Sequence, residues 1–172
     1  MRVFPSACRT VDTAGVRTHL SVVMGSHTSE KIHATCVEVD GLGILLRGPS
    51  GSGKSDLALR LIDTGARLIA DDYTELTIES DRLIATAPEN IDGLIEVRGV
   101  GLLKIGAAVQ APVGVVIDLV GPEGVDRLPE DDKITLLGLS VPHFKLTPFH
   151  SSAPAKVRLV VRRVKGDIVH VP

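Results

Sequence analysis

The sequence predicts an α/β fold in which sheet outweighs helix. Three observations predict it: a glycine-rich loop set between an apolar run and a helical pattern, a series of short β-type segments punctuated by glycine or proline, and a second helical pattern near the end. With 172 residues the chain suits one domain with a real core. Residues 1–31 mix Ser, Thr, Gly and charge without a sustained period and read as a mobile arm, leaving 32–172 as the domain. The stretch Leu20-Ser21-Val22-Val23-Met24 is too short for the apolar core of a signal peptide.

Taken in order, the pattern predicts strands over Ile32–Val39 and Gly43–Leu46, the second a short apolar run bounded by glycine, as a buried strand requires. A helix follows, because Leu57, Ala58, Leu61 and Ile62 recur at helical spacing while Asp56 and Arg60 stand four apart on the wet face. Gly65 stops it as a left-handed cap. Further strands are expected over Arg67–Ala70, Glu75–Ile78, Leu83–Ala87 and Val113–Val120. Two more are expected over Lys133–Leu137 and Leu139–Leu146, and Ala155–Val164 reads as a final helix.

Between the second strand and the first helix runs Gly48-Pro49-Ser50-Gly51-Ser52-Gly53-Lys54-Ser55. The spacing is that of a phosphate-binding loop, and it stands in the strand–loop–helix context the motif needs. Glycines at 48, 51 and 53 permit positive φ angles, so successive N–H groups can line a concave anion nest. The helix N-terminus adds partial positive charge. Lys54 would reach the β- and γ-phosphates of a nucleotide, and the Ser55 hydroxyl would hold a magnesium ion.

Such a loop needs a carboxylate, and two stretches compete. Asp118 lies inside the apolar run VGVVIDLVG, where a polar-face or edge-strand acid is as good a reading as a metal ligand. Asp71 and Asp72 end RLIADDY, directly after the loop's helix, where a parallel strand–helix–strand unit returns the chain to the phosphate side. Neighbouring strand residues face opposite ways, so both can face the site only if the chain turns there. One is then catalytic and the other supporting. In IEVRGVGLL, alternation puts Glu96 and Arg98 on one face of an extended segment; a surface ion pair is the bland alternative.

Composition narrows the function classes. Nineteen basic and twenty-one acidic residues give a formal charge of -2, and three Phe, one Tyr and no Trp offer few stacking platforms. Both argue against nucleic acid as a partner. No apolar run is long enough to span a bilayer. Two cysteines, Cys8 and Cys36, make neither a disulfide framework nor a metal motif, so a reducing cytoplasm is expected.

Together these motifs resemble the catalytic domain of the HPr kinase/phosphorylase family, over roughly Ile32 to Arg158. The family's first-strand histidine falls on His33, and its LIADD ending on Leu68–Asp72. Its EIRGxG signature is Glu96-Val97-Arg98-Gly99-Val100-Gly101. Its DRL turn is Asp126-Arg127-Leu128, and its VPxxKxT stretch runs from Val141 to Thr147 through Lys145. The resemblance implies the kinase core shared with phosphoenolpyruvate carboxykinases, in a short form that carries the catalytic domain alone.

It also implies ATP and Mg2+ as cofactors and a serine of the phosphocarrier protein HPr, or of an HPr-like protein, as the acceptor. By resemblance Asp71 accepts the serine proton and returns it in the reverse reaction. Ser55 and Glu96 hold magnesium, Lys54 stabilises the transferring phosphate, His33 and Arg127 complete the catalytic set, and Asp72, Arg98 and Lys145 support it. The reverse direction would consume inorganic phosphate and release pyrophosphate. The family's hexamer extends the expectation to a homo-oligomer. Pro129 stands where the family usually has glycine, and Pro148–Arg158 departs from the segment tied to dephosphorylation, so kinase activity is the firmer expectation. The rival readings are a small-molecule kinase with the same loop and a non-catalytic nucleotide-binding module.

Overall fold

The computed structural model describes residues 29–89, 91–169 and 171, so the expected arm lies, over 1–28, outside the described residues. Among them the strands are β1 (Ser29–Ile32), β2 (Ala34–Val39), β3 (Leu42–Arg47), β4 (Arg67–Ala70), β5 (Thr74–Glu79), β6 (Arg82–Thr86), β7 (Leu94–Val97), β8 (Gly101–Lys104), β9 (Gln110–Leu119), β10 (Asp132–Leu136) and β11 (Leu139–Leu146). The helices are α1 (Lys54–Asp63) and α2 (Ala153–Lys165), with a 3-10 turn at Pro122–Gly124. No helix among the described residues is long and apolar enough to cross a membrane.

Three local readings change. The expected strand Ile32–Val39 is two strands, because β1 pairs with β5 while β2 pairs with β3 and β4. The chain has to change direction between those partners, and His33 sits at the bend. Ser29 to Lys31, assigned to the arm, are therefore paired strand. The third change is a hairpin, β7–β8, where one extended segment was expected. Val97 and Val100 close its turn with a 3.0 Å backbone bond, and Gly99 supplies φ 81° at the third turn position, as a type II turn demands. Arg98 is thus a turn residue and does not share a strand face with Glu96.

The order β1-β5-β6-β9-β3-β2-β4 is completed by β11 and β10, which join alongside β9. β9 is the corner strand: its first residues pair with β6, and its later ones run parallel to both β3 and β11. β3 and β4 are each antiparallel to β2 and so run parallel to one another with β2 between them. The expected parallel strand–helix–strand unit is therefore present, with β2 inserted into it. That direction matters, because it returns the end of β4 to the edge of the sheet from which Gly48 leaves.

Burial fixes the helices on one face. Ile44, Leu46 and Ile117 pack against Leu57, Leu61, Val157 and Val161, all fully buried; each such side chain contributes about 1.5–3 kcal/mol. On the opposite face Cys36, Leu45, Ile69 and Val116 meet Leu76, Leu83 and Ala85 of the β5–β6 hairpin. α1 ends as its sequence requires. Gly65 has φ 99°, its N–H bonds Ile62 O at 2.9 Å, and Ala66 N–H bonds Leu61 O at 3.0 Å, the paired bonds of a Schellman cap.

Candidate active site

The loop from Gly48 to Ser55 leaves β3 and enters α1 through Gly53, whose φ of 89° is left-handed. Two of its glycines are sterically required. A Cβ on Gly48 would lie 2.5 Å from Ser52 Oγ, and one on Gly53 would lie 2.9 Å from the Phe149 ring. Ser52 N–H closes a turn onto Pro49 O at 3.1 Å. Lys54 is only 7% exposed, and its Nζ donates to Gly48 O at 3.0 Å and Pro49 O at 3.3 Å. An ammonium has three protons, so one remains for an anion. Among the described residues Ser52 Oγ is the one buried side-chain N or O atom without a partner, a second unused donor in the same loop.

Asp71 is the centre of the site. Its Oδ1 accepts from Ser55 Oγ at 2.9 Å and from Thr35 Oγ1 at 2.8 Å. Its Oδ2 takes only a long 3.4 Å bond from the Glu96 backbone N–H. Three elements therefore aim one carboxylate at the start of α1. Thr35 escaped sequence reasoning, although a threonine inside the buried run of β2 is itself a signal, since its hydroxyl must find a partner.

Both aspartates face the cleft, which alternation alone forbids. The chain turns at this point: Tyr73 N–H bonds Asp71 O at 2.8 Å, and Asp72 between them has φ 67°. An i to i+2 bond around a positive φ is the rare, strained form of γ-turn, and strain of this kind is characteristic of functional sites. Asp72 then turns to His33, whose Nε2 lies 2.9 Å from Asp72 Oδ1. Tyr73 flanks that pair, its ring centroid 5.5 Å from the imidazole and 4.8 Å from Lys31 Nζ.

Around these groups lies a cleft of about 770 Å³. Ser50, Gly51, Gly53, Lys54 and Ser55 line it from the loop, Asp71 and Asp72 from the turn, and Glu96 and Arg98 from the β7–β8 hairpin. The predicted acids and the predicted loop are thus one site. No group of three acidic, histidine or cysteine side chains among the described residues could hold a metal by itself. Oxygen donors are nevertheless together here: Ser55 gives its proton to Asp71, leaving its lone pairs free, and Glu96 shares the cleft. Magnesium commonly takes one or two protein oxygens and completes its shell with phosphate and water, so the donor set fits that ion.

Arg127 and Lys145 are not brought to this cleft. They line a second cavity of about 620 Å³ between the 125–132 segment, β11 and α2, together with His143 and Pro129. Asp118 is not a cleft residue either. Arg47 grips it from the neighbouring register position, Nε to Oδ1 at 2.8 Å, and His143 Nε2 approaches Oδ2 at 2.9 Å. Phe149 was not expected in the site, yet it lines the cleft over Gly53. Its strap is pinned to α1, since Arg60 donates to the carbonyls of Pro148 and His150.

Residues 26–152 match the family model described as HPr Serine kinase C-terminal domain. The HPr kinase/phosphorylase of Geobacillus thermodenitrificans is 40% identical over 127 residues, covering 67% of this chain and 41% of that protein. That of Thermoanaerobacter sp. is 45% identical over 130 residues, again 67% and 41%. The structure of the Hpr(Ser) kinase/phosphatase from Coxiella burnetii superposes with a TM-score of 0.72 at 29% identity, over 80% of this chain and 92% of that one. The chain spans about 41% of the length of those two curated relatives. The matched region 26–152 contains every cleft residue from Ser50 to Phe149, and also His33, which reaches the cleft only through Asp72; the chain belongs to the HPr serine kinase C-terminal domain family.

Proposed function

We propose that the chain is a kinase that uses ATP and magnesium to phosphorylate a serine hydroxyl of HPr or an HPr-like phosphocarrier protein. The observation that carries this reading is the bond between Asp71 and Ser55 at the first turn of α1, which sets a carboxylate beside a loop shaped for phosphate. The loop's N–H groups, the free proton of Lys54 and the Ser52 hydroxyl would hold the β- and γ-phosphates. Ser55 and Glu96 would hold magnesium, which neutralises charge on the phosphates when bound.

Asp71 would accept the acceptor's proton on Oδ2, the oxygen with a single long bond, while Thr35 and Ser55 fix the carboxylate through Oδ1. Such positioning and charge neutralisation are most of what phosphoryl transfer requires. Asp72 and His33 would shape the acceptor side of the turn. An open lip of apolar side chains, Tyr73, Leu102 and Phe149, all well exposed, suits an acceptor carried on a protein surface better than a small metabolite, which a kinase would enclose.

In reverse, inorganic phosphate in the loop would attack the phosphoserine phosphorus. The P–O bond to serine breaks, pyrophosphate forms, and the Asp71 proton goes to the departing serine oxygen. Arg127 and Lys145 would enter through the partner's phosphoserine or through a closure that brings the second cavity to the cleft. Incubation with labelled ATP, magnesium and purified HPr, followed by mapping of the label, tests the forward reading. A phosphoserine is the expected product, and a phosphohistidine or no transfer overturns it. Pyrophosphate release from phosphoserine-HPr and phosphate tests the reverse.

A further inference from the structure

His143 falls on a variable position of the Val141–Thr147 stretch and carries no expected role there, yet both of its ring nitrogens meet carboxylates. Nε2 lies 2.9 Å from Asp118 Oδ2, and Nδ1 lies 2.7 Å from Asp132 Oδ2. Neither acid can donate in return while ionised. Asp118 is gripped through both oxygens by Arg47, at 2.8 and 2.9 Å, and Asp132 Oδ1 takes the Lys133 backbone N–H at 2.8 Å. A neutral imidazole has one N–H and one lone pair, so it satisfies one of these carboxylates and repels the other. Only the imidazolium donates to both. The immediate charges agree, because Arg47, Asp118 and Asp132 sum to minus one and the imidazolium cancels it.

The position of this four-membered chain gives it a use. Arg47 is the residue before Gly48, and Asp132 opens β10 directly after the loop that carries Arg127. His143, 7% exposed, is the link between the two. We propose that the His143 imidazolium is a positioning residue that fixes the Arg127 loop relative to the base of the Gly48–Ser55 loop, and that loss of one proton releases the Asp132 end. Asp132 is the end that lets go: its side chain is 62% exposed, so water can replace the imidazole, whereas Asp118 keeps Arg47.

Other charges face the same region. Lys145 is two residues along β11 and acts on Asp132. Across the cavity stand Lys156 and Arg163 of α2, the latter paired with Asp131. From the loop come Asp126, Arg127 and Glu130. Among the described residues none of them hydrogen-bonds a ring nitrogen of His143, so its polar partners are the two aspartates.

The purpose of the device rests on the kinase reading, but the device can be measured without turnover. Protection factors for the amides of residues 126–132 would be followed by NMR over a pH series, with the His143 ring nitrogens in the same samples. The expected result is a severalfold fall in loop protection at the pH where His143 loses its second proton. Asp132→Asn separates this from plain structure: its amide N–H can donate to the lone pair of neutral Nδ1 while Nε2–H stays on Asp118, so the loop's protection becomes flat over that range.

Flat protection in the unmodified chain, or an Asp132→Asn variant that follows it, overturns the proposal. Should His143→Gln fail to fold, those two proteins still decide it. Where HPr phosphorylation is measured alongside, kcat of the unmodified chain falls severalfold over the same transition with KM for ATP unchanged, and the Asp132→Asn variant is spared. Absence of transfer at every pH in both proteins defeats the kinase reading, while the protection data still judge the clasp.

Discussion

Ser55 and Asp71, sixteen residues apart, are joined by a 2.9 Å hydrogen bond that closes β3, α1 and β4 into one site. The serine in the first turn of α1 and the aspartate directly after β4 each fix the other. Thr35 adds a second hydroxyl to the same oxygen at 2.8 Å. The consequence is a carboxylate with one occupied and one nearly free oxygen.

Asp71→Asn is expected to lower the transfer rate by roughly 10²- to 10⁴-fold, the usual contribution of a positioned base, while ATP binding is retained because less negative charge faces the phosphates. Thr35→Val should act more mildly on the rate and cost about 1–3 kcal/mol of stability, since it leaves a charged acceptor short of a buried bond. Single-turnover kinetics beside nucleotide titration checks both. Loss of ATP binding with Asp71→Asn would move the aspartate from proton transfer to nucleotide support.

Lys54→Met should abolish transfer with the fold intact. The side chain is buried, but its polar contacts are two loop carbonyls rather than a core ion pair, so the cost in stability should stay near 1 kcal/mol. Denaturant melts and turnover, run on the same preparation, test the two halves. Turnover close to that of the unmodified chain would remove Lys54 from the phosphate site.

The loop, α1 and the Gly65 cap were legible in the sequence because each is local: spacing, periodicity and a glycine conformation decide them. The residues alone left Asp71, Asp72 and Asp118 in competition, and pairing was not legible. That β2 inserts between β3 and β4, that β1 leaves it at His33, and that β9 serves three neighbours depend on contacts between distant segments. The separation of Arg127 and Lys145 from the cleft has the same origin, since order along the chain says nothing of which side of β9 the β10–β11 hairpin joins. Thr35 was hidden for a different reason. A single hydroxyl in a buried strand announces that it has a partner without naming it.

Asp72 carries a left-handed conformation that asparagine tolerates and β-branched residues do not. Asp72→Asn should therefore keep the turn, whereas Asp72→Val should cost about 1–2 kcal/mol from the backbone alone. Chemical denaturation ranks the two. Equal stability would mean that the turn relaxes at no cost and that its strain plays no part in aiming Asp71.

Gly53→Ala meets two obstacles, a φ of 89° and a Phe149 ring 2.9 Å from the new Cβ. Removing the ring with Phe149→Ala should recover only the contact part of the loss, leaving the backbone part of about 1–2 kcal/mol. A double-mutant cycle measures the split. Full recovery would show that the ring alone, not the αL cap, makes glycine necessary there.

The last prediction concerns acid. Burial pushes the Asp118 carboxyl up, but the bonds and charges of Arg47 and His143 together hold it below the ordinary range. Asp132 is lowered too, first by His143 and then by the Lys133 backbone N–H. A depressed carboxyl contributes stability that is fully present above its unfolded value, about 3.9, and is lost as pH falls through the lower folded value. Stability owed to Asp118 should therefore be level near neutrality and drain away below about pH 4. Asp118→Asn removes that contribution: the variant should be less stable than the unmodified chain at neutral pH, with the gap closing as the pH drops. Urea denaturation midpoints at matched ionic strength from pH 3 to 7 measure the gap. A constant gap across that range would mean that the Arg47–Asp118 pair acts through shape rather than charge, and a gap that widens in acid would reverse the sign of the linkage.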